Sequence, residues 1–147
     1  MSLIENKKAK LDYEILEQFE AGIELLGFEV KSLRERLGAL AGAYAVIRGG
    51  EAFVTGMYIP PFQPNNTPKE YDPYRTRKLL LTKRDLLILL GIERQKGLTI
   101  VPISIYNKGR KLKVSLAVVK GRKKHDKREV LKKRQSERDI RREYSDR

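Results

Sequence analysis

No cysteine occurs in the 147 residues, which excludes a disulfide scaffold, a thiolate-held zinc or iron–sulfur centre and thiol catalysis. Tryptophan is absent as well, and histidine occurs once. Long apolar runs are missing: no stretch free of charge and turn residues approaches the roughly 18 needed to span a bilayer. The opening MSLIENKKAK turns polar too early for a secretory signal, so no membrane partner and a cytoplasmic setting are expected. Acidic residues are in short supply, 19 against 32 lysines and arginines, for a formal charge of +13. A field of that sign attracts polyanions, and nucleic acid is the leading partner class.

What is present suits one small domain with a basic appendage, since 40% hydrophobic residues close a single core without much surplus. Residues 120–147 carry 13 Lys/Arg and 6 Asp/Glu, over half of the net charge. Their sizeable apolar groups are only Val130, Leu131, Ile140 and Tyr144, too few to offset the entropy of ordering the segment on a core. The division is therefore a folded body over 1–119 and a tail over 120–147, disordered when free. Its composition favours helix, and Asp126 followed by Glu129 resembles a capping box, so it turns helical on a partner.

The body reads as mostly strand. From Leu11 to Leu25 the odd positions are largely apolar, predicting one long half-buried strand with a bulge or bend at Gly22 where it curves. GFEVKSLRERLGAL has helical spacing and a stop at Gly38. Residues 44–47 and 51–59 flank Arg48-Gly49-Gly50, a hairpin turn signal. Five of the six prolines fall in residues 60–76, a long loop. Residues 77–81 resume a strand, Thr82 caps a helix with Leu86, Leu89 and Leu90 on its apolar face, and a second hairpin runs from Thr99 to Val118 about Asn107-Lys108-Gly109. Five or six strands with two short helices predict a mainly β fold with short helices, an OB-like closed antiparallel β-barrel.

Enzymatic readings find little support. Glu20, Glu24, Glu29, Asp72 and Asp85 show no metal-ligand spacing, a Ser-His-Asp triad would need His125 in the tail, and no glycine-rich phosphate loop is present. No catalytic residue, metal, cofactor or small-molecule substrate is expected. A non-catalytic nucleic-acid adaptor remains, with a generic ribosome-associated or single-strand RNA-binding OB protein as the alternative.

Five strings in order, Asn6-Lys7-Lys8-Ala9, FEAGI at 19–23, GFEVKSLR at 27–34, DPYRTRKLLL at 72–81 and KGRKKHDKR at 120–128, closely resemble the SsrA-binding proteins of bacteria, the small protein B family. The resemblance implies an OB-like barrel that binds the tRNA-like domain of transfer-messenger RNA and accompanies it, with elongation factor Tu, into stalled ribosomes, the process of trans-translation. It implies one monomer per RNA, a barrel standing where an anticodon arm would lie, and a tail that enters the decoding centre and the empty messenger channel. It also implies that Asn6, Glu20 and Leu80 belong to the RNA face. Three leucines in a row at 79–81 cannot all point inward from a strand, which agrees with an outward Leu80. Lys7, Lys8, Lys10, Lys31, Arg34, Arg75, Arg77 and Lys78 adjoin these strings and are nominated for phosphates. Tyr13 and Tyr44 suit base stacking and equally suit a core. In the tail, Lys120, Arg122, Lys123, Lys124, His125, Asp126, Lys127, Arg128, Arg134 and Arg138 are the expected ribosome contacts, with His125 stacking on a decoding-centre base and the helix starting at Asp126.

Overall fold

A computed structural model of the chain describes residues 2–63, 65, 67–121, 131 and 135. Ser2–Glu5 forms β1, Lys7–Asp12 α1, Tyr13–Ile23 β2, Gly27–Arg34 α2, Tyr44–Arg48 β3, Glu51–Thr55 β4, Arg77–Leu80 β5, Lys83–Glu93 α3, Leu98–Lys108 β6 and Lys111–Gly121 β7. The strands make one antiparallel sheet in the order β1-β6-β7-β2-β5-β4-β3.

The mainly β class with short helices is borne out, but the expected closed barrel is corrected: the sheet is open, with β1 and β3 as its edges. α3 takes the place of a closing ladder by packing against both β3 and β6. Its Glu93 carboxylate accepts from the Ile47 amide (2.6 Å) and from Arg48 Nη1 (2.6 Å). An edge amide that a neighbouring strand would otherwise take is thereby satisfied.

Alternation places Leu112, Val114 and Leu116 of β7 in the core with Ile105, Val54, Leu79, Leu33, Leu40, Met57 and Ile59. The reverse face of the same strands buries a smaller cluster, Val101, Ile103, Ala117 and Val119, beneath Ala9 of α1. Two register shifts allow both faces to be used, one between Ile15 and Glu17 and one between Pro102 and Ser104. Pro102, which has no amide to donate, sits at the second, where a proline is tolerated inside a sheet.

Several boundaries differ from expectation. The long strand begins at Tyr13, because Asn6 caps a short helix, α1, over Leu11 and Asp12. The bulge lies at Leu16, not Gly22. Gly22 is where β2 passes from one partner to another, paired with both Lys113 and Leu80, and a Cβ there would stand 3.2 Å from the Leu80 Cβ. α2 stops at Arg34, ahead of Gly38, where a φ of 128° and a Cβ that would stand 2.8 Å from the Tyr58 carbonyl oxygen exclude any larger residue. The first hairpin turns as expected on Gly49 and Gly50, both with positive φ, and Thr82 Oγ1 caps α3 by accepting from the Asp85 amide at 3.1 Å.

The proline-rich loop is tied to α2 and β5 through one buried carboxylate. Glu29, fully buried, accepts from the Leu26 amide (2.7 Å), Arg75 Nε (3.1 Å), Arg75 Nη2, Arg77 Nε (2.8 Å) and the Tyr71 hydroxyl (2.8 Å). Arg77, equally buried, spends its other donors on the Met57, Arg75 and Pro73 carbonyls and on the Tyr71 oxygen. Phe28 meets the Tyr71 ring edge-on at 4.7 Å. Burial alone would push the Glu29 carboxyl up, but the hydrogen bonds from Arg75, the Leu26 amide, Tyr71 and Arg77 outweigh it and hold it at about 2. Burial and the adjoining Glu29 push Tyr71 up to about 12.

Removing one member of such a set leaves the others buried and unpaired, so Glu29→Gln is expected to cost roughly 3–5 kcal/mol in urea unfolding at neutral pH. A folded pKa of about 2 against 4.5 for the free group means that the stabilisation from this carboxylate is complete above the free value and is lost as pH falls through the folded one. The native chain should therefore show a stability loss over that acid window that is smaller in Glu29→Gln. An equally steep acid limb in the variant would contradict the assignment.

Candidate nucleic-acid interface

Because paired residues share a face and a strand alternates, the register can be read outward across the sheet. Leu80 pairs with Gly22, Gly22 with Lys113 and Lys113 with Tyr106, a row from β5 to β6 on the side away from the main core. The next row holds Glu20, Ser115 and Ser104. Glu20 and Leu80, far apart in sequence, thus stand on one face, and Leu80 is 48% exposed there.

Glu20 is held by two partners on β6. It accepts from the Tyr106 hydroxyl and from Lys108 Nζ at 2.8 Å, and these hydrogen bonds, Lys108 first, keep its carboxyl below the ordinary value. Burial and Glu20 together push Tyr106 up to about 12. Beside this pair lies a groove of about 340 Å³ lined by Gly22, Ile23, Leu25, Val30, Leu80 and Leu112, with Arg34, Arg110, Lys111 and Lys113 on its walls. Arg34 Nη2 donates to the Arg110 carbonyl at 2.9 Å, which joins α2 to the second hairpin turn. An apolar floor walled by four cations suits a nucleotide, whose base wants contact and whose phosphate wants charge. Sequence reasoning missed Arg110, Lys111 and Lys113. The signal was there: Leu112, Val114 and Leu116 point inward, so Lys111 and Lys113 point out.

The other nominated residues fall elsewhere. Asn6, Lys8, Tyr13 and Tyr44 meet around a cleft of about 220 Å³ between α1 and β3. Tyr44 is exposed and Tyr13 half-buried, while the Asn6 amide is buried and spent on the chain: its Oδ1 accepts from the Ala9 amide (3.1 Å) and its Nδ2 donates to the Leu40 (3.2 Å) and Pro102 (2.9 Å) carbonyls. Asn6 therefore sets the cleft's walls and offers no group to a base. Lys7 and Lys31 are exposed, and Lys10 is half-buried. Arg77 is corrected from a phosphate contact to a buried partner of Glu29, and Arg75 leans on the same carboxylate while half-buried. Lys78 reaches Glu51 at 3.1 Å. Lys120 is exposed near the end of β7 opposite Glu14, so the strand runs past the expected boundary at 119. Arg122, Lys123, Lys124, His125, Asp126, Lys127, Arg128, Arg134 and Arg138 lie outside the described residues. Among the described residues no helix is long and apolar enough to cross a membrane.

The sequence profile of the SmpB protein family matches residues 3–146. The chain belongs to the SmpB family. It is 48% identical to the SsrA-binding protein of Gloeothece citriformis over 140 residues, 95% of this chain and 90% of that one. It is 47% identical to the SsrA-binding protein of Clostridium tetani over 146 residues, 99% and 93% of the two chains. Among solved structures, a chain of "tmRNA-SmpB: a journey to the center of the bacterial ribosome" superposes with a TM-score of 0.69 at 43% identity, covering 87% of this chain and 93% of that one. The strings that resemble the SmpB family have two separable physical roles in this member: EAG and the end of RKLLL build the outer face, while GFEVKSLR and DPYRTR supply the buried Glu29 set.

Asn6→Ala should lower stability by roughly 1–3 kcal/mol, since it removes a cap and unpairs two buried carbonyls. Asn6→Asp, which retains the cap acceptor but loses the Nδ2 donors, should recover only part of that. An Asn6→Ala melting temperature equal to the native one would show that the cap is dispensable.

Proposed function

We propose that this chain is a non-catalytic RNA-binding adaptor of ribosome rescue, which binds the tRNA-like domain of transfer-messenger RNA and brings it to stalled ribosomes for trans-translation. The observation that carries the reading is a cation-walled groove lined by Leu80 and Lys113, with Glu20 on the neighbouring row of the same face. Membership of a family whose relatives are named for SsrA binding supports it. Lysines and arginines there neutralise phosphate, Leu80 gives an unstacked base an apolar contact, and Glu20 discriminates. A carboxylate accepts from base amino or imino groups and repels phosphate, so it penalises RNA presented in the wrong register.

The remaining assignments follow from the same reading. The folded body takes the position of an anticodon arm and acts as one monomer per RNA, and elongation factor Tu accompanies the complex. The basic residues from Lys120 onward bind the small-subunit decoding centre and messenger channel, their cations neutralising ribosomal RNA phosphates. A partner of this kind places the protein in the cytoplasm.

Two sets of variants separate the two halves. Leu80→Ala should weaken binding of the tRNA-like domain about tenfold with the melting temperature unchanged, and Lys113→Ala should flatten the salt dependence by about 0.7 in log–log slope. Truncation after Gly121 should retain RNA binding and abolish peptide tagging on stalled ribosomes. Equal loss of both activities on truncation would overturn the division of labour.

A further inference from the structure

We infer that the RNA surface continues beyond Leu80 on to Phe53, which acts as a stacking platform for a second unpaired base. This rests on the RNA reading above and extends it to a residue and a cavity that reading does not use.

On β4, Ala52 and Val54 are 3% and 0% exposed and face the core, so Phe53 between them faces out. The register places Phe53 across from Lys78, and Ala52 across from Leu79, which sets Glu51 opposite Leu80. Phe53 and Lys78 therefore form the row next to the one that holds Leu80, two residues or about 7 Å along the strands. In front of them is a cavity of about 560 Å³, lined by Phe53, Arg75, Thr76, Lys78, Glu24, Leu25 and Leu26. Leu25 also lines the groove at Leu80, so the two spaces share a wall. Leu26, 44% exposed, forms the same rim.

The chemistry favours RNA over an apolar peptide as occupant. An aromatic plane beside cations matches a base and its phosphate. The Lys78 ammonium pairs with the exposed Glu51, a pairing of a kind worth about 0–1 kcal/mol, so phosphate displaces that carboxylate at little cost. Glu24 stands on the opposite wall, close enough to β5 that its amide donates to the Lys78 carbonyl at 3.0 Å. Its carboxylate disfavours phosphate at that end and accepts from a base amino group, which orients the nucleotide with its base on Phe53.

The chain contains no tryptophan, so Phe53→Trp in the full-length protein places a lone reporter on the platform. Titration with the tRNA-like domain of transfer-messenger RNA should quench the indole emission, saturating at the RNA concentration that saturates a gel shift, with affinity within about twofold of the native chain. Phe53→Leu, which retains apolar bulk and loses the π-face, should bind about tenfold more weakly at an unchanged melting temperature. Native affinity in Phe53→Leu, or unchanged indole emission from Phe53→Trp in a complex that the gel shift shows to have formed, would overturn the platform and leave the proposed function standing. A peptide-docking site would give the first of these results. Failure of the native chain to bind the RNA at all would overturn both.

Discussion

An ionised carboxylate without access to water persists only when its oxygens are fully met, and that requirement at Glu29 organises the side of the molecule that carries the groove. Arg75, Arg77, Tyr71 and the Leu26 amide meet it together. They come from separate places: the start of α2, the proline-rich loop and the first residue of β5. Satisfying one buried charge therefore fixes where α2 begins, where the loop returns, and how β5 enters the sheet. Leu25, Val30, Arg34 and Leu80, which line the groove, sit on or beside the elements so fixed. A buried ion pair is weak evidence for net stability, because desolvation offsets much of the attraction. Its effect here is geometric: alternatives in which β5 slips by one residue would bury Leu80 and turn Arg77 away from Glu29.

The sheet divides labour by face. Inward alternation on β4, β5 and β7 builds the main core, and the outward residues of the same strands, Phe53, Leu80, Lys111 and Lys113, are released for contact with a partner. At the open edge on β3, Glu93 covers the Ile47 amide. The reverse side of β6 and β7 is closed by α1, so the cleft beside α1 and the groove at Leu80 arise from separate packing problems. Within the SmpB family this arrangement explains how a small chain carries much of its charge after residue 119 while keeping a defined surface before it.

Local signals in the sequence were sufficient for the hairpins, for α3 with its Thr82 cap and for the loop at 60–76, because turn chemistry and strand alternation act over a few residues. They failed where the determinant was distant. Arg75 and Arg77 read as surface cations because their partner Glu29 lies 46 and 48 positions away. α1 was hidden because a six-residue helix is too short to break a period-two pattern, and the Asn6 cap that stabilises it also reaches Leu40 and Pro102. The open edge at β3 depends on a single carboxylate of α3, which no periodicity announces. For the candidate site, Glu20 and Leu80 were legible through family strings. Lys113 needed the register, since only pairing through Gly22 shows that it stands beside them.

Recognition of the shape of one RNA, beyond attraction to a basic patch, is the property that the groove and its neighbours must deliver together. Competition for the labelled tRNA-like domain of transfer-messenger RNA at fixed physiological salt, using matched alanine tRNA, unstructured RNA and duplex DNA as rivals, measures it most directly. Only the unlabelled cognate domain should displace the label at low concentration. Equal displacement by all of them, tracking charge and salt alone, would contradict shape recognition by this face.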